Sequence, residues 1–364
     1  MKPTILFILH MPPPVHGAAM MGQYIHDSKV INEAFDCHYI NLTLAKDIND
    51  IGKGGIRKLI LYLKKQIQIA KAIRKIKPQL CYITPNTKGG PFYKDFVTLQ
   101  LLKCLRQNIV VHFHNKGVRT RENRLPDKVL YRSFFQGIKV ILLAPALYTD
   151  IQKFATKEQI VYCPNGIPGT SAIAPQSNNE KLHILFISNI MVAKGVWDLI
   201  KALEITKDKN LNFQCDFIGK WSDISEETFH QKVEEAGLTD VVQAHGAKYG
   251  EEKEAFLDKA DVFVLPTHDE CFPLTLLEAM EKGLPCIACE QGGIPDIVED
   301  GETGFIVPSH SPEALAERIA FFIEHPEQCA AMGKAGKEKF LREFTLDRFE
   351  NRMKEILEGA LIPC

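Results

Sequence analysis

The sequence predicts an α/β protein with two doubly wound, Rossmann-like domains. Short apolar runs alternate with longer segments of helical periodicity on both sides of residues 165–180, and this alternation is typical of parallel-sheet domains. The 364 residues suffice for two domains that each have a core. An apolar fraction of 45% and a charged fraction of 24% are ordinary for a globular protein.

Residues 165–180 are predicted to link the two domains, because proline, glycine, serine and asparagine concentrate there. The N-terminal domain is therefore predicted at residues 1–164 and the C-terminal domain at residues 181–344. A further amphipathic helix is predicted at about residues 345–364.

In the first domain, buried apolar runs predict strands and the periodic segments between them predict helices. The predicted strands are residues 4–9, 37–40, 80–84, 108–112, 139–143 and 159–163. The predicted helices begin near residue 18 and cover residues 52–78, 92–105, 125–135 and 146–154.

The second domain shows the same alternation of short apolar runs and periodic segments. Its predicted strands include residues 183–187, 212–219, 241–244, 262–265 and about 285–288. Its predicted helices include residues 226–236, 251–259, 273–281 and about 327–341, and residues 301–323 supply a further strand and helix.

The helix predicted over residues 52–78 is amphipathic. Its apolar positions recur at helical spacing, and we expect this stripe to pack on the sheet; the stripe is Ile56, Leu59, Ile60, Leu63, Ile67, Ala70 and Ile73. Eight cations, Lys64 and Lys65 among them, fall mostly on the other face without an acidic residue. Either this face is simply solvated, or it is attracted to an anionic membrane surface or a phosphorylated lipid.

The charge of the chain is divided between its halves. Residues 1–164 carry 25 basic and 10 acidic residues, a net charge of +15, whereas the remainder carries 19 and 35, a net charge of −16. The total of −1 hides this division, which suggests that the first half meets an anionic partner.

The composition also indicates a cytoplasmic protein. No apolar run approaches the ~20 residues of a membrane-spanning helix, and the run at residues 5–9 is too short for a signal peptide. The ten cysteines are scattered, several of them in predicted strands, as expected for reduced, buried thiols. Cys286 and Cys289 form one C-x-x-C pair without a second pair, so a zinc site is not expected there.

Residues 261–296 contain the strongest functional signal. A short strand leads through a polar loop to Pro273, which suits the first position of a helix. The unpaired N–H groups of the first helical turn form an anion site, and they belong to Leu274, Thr275 and Leu276. Glu270 and Glu278 flank this site with carboxylates that accept hydrogen bonds from hydroxyl groups. An anion site between two hydroxyl acceptors describes a nucleotide-sugar pocket.

The segment HDECFPLTLLEAMEKGLPCIA resembles the signature of the retaining family 4 glycosyltransferases, whose E-x7-E motif is matched by Glu270 and Glu278. The resemblance implies that Glu270 faces the donor sugar, that Glu278 binds the ribose hydroxyls, and that the N–H groups between them hold the diphosphate. It also implies the GT-B architecture, in which two domains face each other across a cleft and the last helix packs back on the first domain.

Three further positions follow from the resemblance. Gly17 occupies the first loop, which lies against the donor phosphates in the family, although a plain tight turn explains this glycine equally well. His114 matches a functional histidine beside the reacting sugar, and we expect the side chain of His112 on the opposite face. The basic loop at residues 116–124, with Arg119 and Arg121, either contacts an acceptor phosphate or is solvated.

The second domain departs from the family at one important position. Family members carry G-R-x-x-x-x-K-G after the first strand of this domain, and this chain keeps Lys194 and Gly195 but has Asn189 in place of the arginine. Arginine and lysine neutralise a diphosphate. One cation fewer predicts weaker donor binding, or a replacement from elsewhere in the chain.

The resemblance implies transfer of a hexosyl unit from a nucleoside diphosphate sugar, with retention, to a saccharide acceptor. No D-x-D motif occurs, so no metal or other cofactor is expected, and Lys194 with the helix N–H groups carries the diphosphate charge. We expect catalytic roles for Glu270, His114 and Lys194.

The basic half of the chain suggests a lipid-linked acceptor at the inner face of the cytoplasmic membrane, in polysaccharide or lipopolysaccharide synthesis, and no nucleic acid is expected as a partner. Two alternatives remain open: an epimerase or hydrolase of the same fold, and a non-catalytic nucleotide-sugar-binding protein. The sequence does not specify the donor base, the hexose, the acceptor or the oligomeric state.

Overall fold

The computed structural model describes residues 2–13, 16–43, 56–169 and 181–361. The chain divides into two compact units, one formed by residues 1–166 with 346–364 and the other by residues 167–345. Most of the predicted linker, residues 170–180, lies outside the described residues.

The first unit contains a parallel sheet of six strands in the order β2-β1-β3-β4-β5-β6. Its strands are β1 (Thr4–Leu9), β2 (Asp36–Asn41), β3 (Leu80–Ile83), β4 (Ile109–His112), β5 (Lys139–Leu142) and β6 (Ile160–Tyr162). The helices of residues 1–166 are α1 (Gly17–Asp27), α2 (Lys29–Ala34), α3 (Ile56–Ile76), α4 (Gly89–Cys104), α5 (Leu125–Phe135) and α6 (Tyr148–Ile151). Strands β3 and β4 are buried along their whole length, as expected for a parallel sheet with helices on both faces.

The second unit contains another parallel sheet of six strands, in the order β12-β11-β10-β7-β8-β9. Its strands are β7 (Leu182–Ile187), β8 (Phe213–Ile218), β9 (Val242–Ala244), β10 (Val262–Leu265), β11 (Cys286–Cys289) and β12 (Gly304–Val307). Its helices are α7 (Val196–Asp208), α8 (Glu226–Glu235), α9 (Glu251–Lys259), α10 (Leu274–Glu281), α11 (Ile294–Ile297), α12 (Pro312–Glu324) and α13 (Pro326–Glu343). The predicted α/β class with two doubly wound parallel sheets is confirmed.

The strand order identifies where each sheet binds ligands. In the first unit the chain runs from β1 outwards to β2 and then returns to β3 on the other side of β1. In the second unit the chain runs from β7 outwards to β8 and β9 and then returns to β10 on the other side of β7. Open α/β sheets bind ligands beyond the carboxyl ends of the strands at such a reversal. The loops after β1, β3, β7 and β10 are therefore the segments in which to look for a site.

The last helix, α14 (Leu346–Leu361), belongs to the first unit. Its apolar face, including Phe349, Met353 and Leu357, is fully buried. The Asn108 side chain donates a hydrogen bond of 2.7 Å to the carbonyl of Ala360 near the end of the helix.

Helix α3 differs from its prediction. The expected stripe is exposed in its first half, since Leu59, Leu63 and Ile67 are 57%, 52% and 54% accessible. A neighbouring face of the helix contacts α4 instead. Tyr62 donates a 2.8 Å hydrogen bond to the carbonyl of Lys94, and Gln66 donates one to the hydroxyl of Thr98. This face continues through the buried Ile69 and Ile73. The prediction was wrong for the first half of the helix, where Tyr62 and Gln66 make the contacts with α4, whereas Ile73 of the predicted stripe is buried.

Helix α2 was not predicted. Its six residues bury a single side chain, Ile31, which gives no periodic apolar pattern. The cysteines that the structure describes are free, and those in the central strands are buried. In the described ranges, no helix combines the length and the apolar character needed to cross a membrane.

Candidate active site

Two loops of the second unit follow β7 and β10, the strands that flank the reversal of strand order. The first loop contains Asn189, which is exposed, and leads into a short helical turn at Val192–Lys194. The second loop contains Glu270 and leads into α10. The residues of these two loops are 70 to 80 positions apart in sequence, and they meet at the carboxyl edge of one sheet.

Gly195 allows the two loops to approach each other. Its backbone is left-handed, with φ +74°, and a Cβ there would lie 1.9 Å from the carbonyl oxygen of Pro266. Only glycine fits both the conformation and the contact. The close approach places Lys194, the preceding residue, beside the loop after β10.

Lys194 and Glu270, both predicted as site residues, form an ion pair. The Lys194 Nζ also donates a 3.2 Å hydrogen bond to the carbonyl of Asp269, and the second Glu270 oxygen accepts one from the N–H of Cys271. Both side chains of the pair are largely buried, at 16% and 21% accessibility. The arrangement supplies a fixed cation and a hydroxyl acceptor within one small volume.

The N-terminus of α10 lies in the same loop. Pro273 is the residue that caps the helix, with ψ 122°, so the prediction that it occupies the first helical position is off by one residue. The N–H of Leu276 donates to the Pro273 carbonyl at 3.3 Å, so this predicted free donor is partly engaged. Within the described part of the chain, the N–H groups of Leu274 and Thr275 have no acceptor. Two oriented donors at a helix N-terminus are sufficient for an anion site.

Glu278 lies one turn further along α10 and pairs with a residue that the sequence did not single out. Lys253 of α9 donates a 2.7 Å hydrogen bond to one Glu278 oxygen. The other oxygen, Oε2, is buried and has no partner among the described residues. Burial raises the pKa of Glu278, and the charge of Lys253 opposes this effect. Lys253 was missed because it lies in a Glu- and Lys-rich helix whose sequence looks like a solvated surface.

The predicted histidine of the first unit lies in a cluster of imidazoles. The rings of His112 and His114 are 4.2 Å apart, so the expectation that they point to opposite faces is wrong. Residues two apart in an extended segment share a face. Tyr82 bonds to His112 Nδ1 at 2.6 Å. His10, directly after β1, is also near His114, since a proton on His10 would disfavour one on His114 and so lowers the pKa of His114.

These imidazoles are held neutral. Burial lowers the pKa of His114 to about 3, with further lowering by His10 and His16 and an opposing effect of Asn165. Burial also lowers the pKa of His10 and that of His112. Both ring nitrogens of His114 and the Asn165 Oδ1 are buried without a hydrogen-bond partner in the described residues. Such atoms are rare in folded proteins, so this cluster is a candidate position for a hydrogen-bonding ligand or water.

Gly17 begins α1, next to this cluster in sequence. The preceding residue, His16, caps the helix, and its Nδ1 accepts a 3.3 Å hydrogen bond from the N–H of Ala19. The structure therefore gives His16 a specific local role and leaves Gly17 as the first helical residue.

The basic loop at residues 116–124 is already organised by a carboxylate. Asp150 accepts hydrogen bonds from the N–H groups of Gly117, Val118 and Arg119 at 2.8, 3.1 and 3.0 Å. Arg121 pairs with the buried Asp127 at 3.4 Å, and Arg119 is exposed. The backbone of the loop is therefore held by Asp150, and its exposed side chains, such as Arg119, are either solvated or available to an acceptor.

Known proteins resemble this chain in sequence and in fold. Residues 171–339 match the family model "Glycosyl transferases group 1". AmsK of Erwinia amylovora, an amylovoran biosynthesis glycosyltransferase, is 30% identical over 276 residues, which are 71% of this chain and 66% of AmsK. WcaL of Escherichia coli K12, named for colanic acid biosynthesis, is 28% identical over 283 residues, 74% of this chain and 69% of WcaL.

Solved structures show the same fold. HepE of Anabaena, crystallised with UDP, superposes with a TM-score of 0.74 over 98% of this chain and 100% of HepE, at 16% sequence identity. A likeness at this identity concerns the fold alone, which is the GT-B fold that the sequence predicted. The part of the second unit that carries Lys194, Glu270 and Glu278 therefore matches the glycosyl transferases of group 1, and the whole chain has the GT-B fold.

Proposed function

We propose that the chain is a retaining family 4 hexosyltransferase that uses a nucleoside diphosphate sugar as donor. The observation that carries this proposal is the grouping in the second unit of Lys194, Glu270 and the α10 N-terminus, with the open oxygen of Glu278 beside them. The HepE structures with UDP and UDP-glucose support a donor of this class.

Each part of the donor has a matching group in this unit. The diphosphate accepts hydrogen bonds from the N–H groups of Leu274 and Thr275, and Lys194 neutralises part of its charge. The ribose hydroxyls donate to Glu278 Oε2, whose buried lone pairs are otherwise unused. The hydroxyls of the donor sugar donate to Glu270. Asn189 adds no charge, so donor binding depends more strongly on Lys194 than it would with the family arginine.

The reaction follows from these roles. The bond between the sugar C1 and the diphosphate oxygen breaks while the acceptor oxygen bonds to C1 from the same face. The acceptor proton passes to the departing phosphate oxygen, so the configuration at C1 is retained. Lys194 and the helix N–H groups stabilise the negative charge that develops on the diphosphate, and no metal ion is needed for this step. In the first unit, the neutral imidazole of His114 is proposed to hydrogen-bond a saccharide hydroxyl group, because both of its ring nitrogens lack a partner among the described residues.

The acceptor that we propose is a saccharide carried on a lipid, in the synthesis of a cell-surface polysaccharide or lipopolysaccharide. AmsK and WcaL are named for two such polysaccharides. Helix α3 provides a means of reaching the membrane, because Leu59, Leu63 and Ile67 are exposed and no residue of the helix is acidic. Lysines such as Lys64 and Lys71 are exposed on the same helix. An amphipathic helix of this kind binds anionic bilayers by apolar insertion and charge attraction.

The enzymatic proposal is tested by incubating the protein with UDP-, GDP- and ADP-sugars, with and without saccharide acceptors, and following the anomeric proton by NMR. We expect a product with the donor's anomeric configuration only when an acceptor is present. Free sugar or an epimerised donor without acceptor indicates the hydrolase or epimerase alternative. Donor binding with no turnover on any acceptor indicates a binding protein.

The membrane proposal is tested by sedimentation with vesicles. We expect binding to vesicles containing anionic lipid at low salt and weak binding to neutral ones. Replacing Leu63 and Ile67 by serine should reduce it, whereas Leu341→Ser, which changes an exposed leucine of the second unit, should not. Equal binding to both vesicle types, or by all variants, contradicts the proposal.

A further inference from the structure

Three side chains with metal-binding atoms meet in the second unit, outside the groups assigned to the donor. Asp198 lies in the first turn of α7, His268 in the loop after β10, and His310 in the loop between β12 and α12. One ligand atom from each lies within 4.8 Å of the other two. The three positions are so far apart in sequence that no local motif marks them, and no metal was expected from the sequence.

The three side chains are in direct contact. His268 Nε2 and an Asp198 oxygen form a 2.5 Å hydrogen bond, and the ring centroids of His268 and His310 are 3.7 Å apart. Ligands of a tetrahedral ion with bonds of about 2.05 Å lie about 3.3 Å from one another. An ion at this position would replace the proton between His268 and Asp198, and the three ligand atoms, which lie within 4.8 Å of one another, would move to this spacing. His310 is exposed, so water can supply the remaining ligand.

The segments that carry the cluster are fixed. The N–H of His268 donates to the carbonyl of Ala193 at 2.9 Å, and the Thr267 hydroxyl donates to the same carbonyl at 3.2 Å. The side chains of Asp198 and His268 are only 19% and 17% accessible. Asp198 and His268 are therefore held next to each other, and the exposed His310 lies against them.

The backbone of His310 provides an independent observation. Its φ is +58°, in the left-handed region, where glycine is least strained and a residue with a Cβ is less favourable. In this conformation the imidazole of His310 lies against that of His268. Residues held in unfavourable backbone conformations concentrate at ligand sites, because a ligand offsets the strain.

We propose that Asp198, His268 and His310 bind a divalent transition-metal ion of the Zn²⁺ class. Two imidazoles and one carboxylate are ligands that Zn²⁺ and Co²⁺ accept readily, whereas Mg²⁺ prefers oxygen atoms alone. The ion joins α7, the loop after β10 and the loop before α12. Because Glu270 lies two residues after His268 in this loop, the ion stabilises the segment that holds the Lys194–Glu270 pair. It takes no part in the transfer reaction, and the inference does not depend on the proposed function.

The test measures thermal unfolding of the full chain after treatment with a chelator and then with Zn²⁺, Co²⁺ or Mg²⁺. At a free Zn²⁺ concentration of about 100 times the Kd, the melting temperature of the second unit should rise by about 5–10 °C. Co²⁺ should bind with a visible absorption band of imidazole-coordinated cobalt, and Mg²⁺ should have no effect.

Two variants distinguish binding of Zn²⁺ at this site from nonspecific binding of Zn²⁺ by surface histidines. His310→Gly removes a ligand and relieves the left-handed strain, so the metal-free protein should be as stable as the wild type or more so, while the response to Zn²⁺ is lost. His325→Ala is the matched control: His325 is exposed, 3.7 Å from Glu327, and belongs to no three-ligand cluster among the described residues. This variant should respond like the wild type.

Two results overturn the inference: no shift with Zn²⁺ and no cobalt band, or equal responses in the wild type and in His310→Gly. Donor binding measured in the presence of the chelator reports on the proposed function separately. A protein that binds nucleotide sugars but no metal contradicts this inference and leaves the proposed function intact.

Discussion

Acidification from pH 7.5 to pH 5.0 should destabilise the first unit through His114. The pKa of His114 is about 3 in the folded protein, because burial disfavours the imidazolium, against an ordinary value of 6.5. Below pH 6.5 the unfolded chain therefore binds a proton that the folded chain does not. The stability contributed by this histidine is fully present above pH 6.5 and is lost as the pH falls from 6.5 towards 3.

The size of the effect follows from the difference between the two pKa values. Each pH unit between them changes the free energy of unfolding by about 1.4 kcal/mol. From pH 6.5 to 5.0 the loss is therefore about 2 kcal/mol from His114 alone. His10 and His112, whose pKa values are also lowered, add to the loss in the same direction.

The assay must report on the first unit. Both tryptophans, Trp197 and Trp221, lie in the second unit, so their fluorescence follows the wrong part of the chain. Hydrogen exchange of peptides that span β4 measures the local opening free energy at both pH values. The wild type should lose about 2 kcal/mol more than His114→Gln, which cannot take up a proton in this pH range. Equal losses in the two proteins would refute the burial of a neutral imidazole at this position.

Three further predictions concern packing and backbone contacts. Gly195→Ala should lower the stability of the second unit by about 3 kcal/mol in urea unfolding, because its Cβ meets a carbonyl, whereas Gly90→Ala, with open space around it, should be harmless. Asp150→Ala should cost about 3 kcal/mol and speed tryptic cleavage at Arg119, because three N–H groups lose their acceptor; unchanged cleavage would contradict this. Leu357→Ala should cost the first unit about 3 kcal/mol by hydrogen exchange if α14 is part of its core, and a cost below 1 kcal/mol would not fit.

Much of the fold could be predicted because the strands are short, apolar and regularly spaced. Helix α9 has its predicted bounds and β10 its predicted residues, since turn residues mark both ends of each. Helix α3 shows the limit of this reasoning. Two faces of that helix have similar spacing, and hydrogen bonds from Tyr62 and Gln66 to α4 decide which one is buried. Such contacts link distant parts of the chain and leave no local pattern.

The same distinction applies to the site. The sequence pointed to Glu270 and Glu278 because they lie in one continuous segment with a helix N-terminus between them. It did not show that Lys253 would pair with Glu278, or that Asp150 would accept hydrogen bonds from the backbone of the basic loop. These partners come from other elements, and each looks like a surface residue in its own segment.

The central claim is that the second unit binds a nucleoside diphosphate through the α10 N-terminus and Glu278. The most direct measurement is calorimetric titration of the wild type and Glu278→Gln with UDP, GDP and ADP, and then with the 2′,3′-dideoxyribose form of whichever binds. The wild type should bind the ribose form about 10 to 100 times more tightly than the dideoxy form, since the hydroxyls donate to a buried carboxylate. Glu278→Gln should bind the two forms nearly equally. A variant that discriminates between them as well as the wild type does would show that Glu278 does not hold the ribose, and would contradict the account.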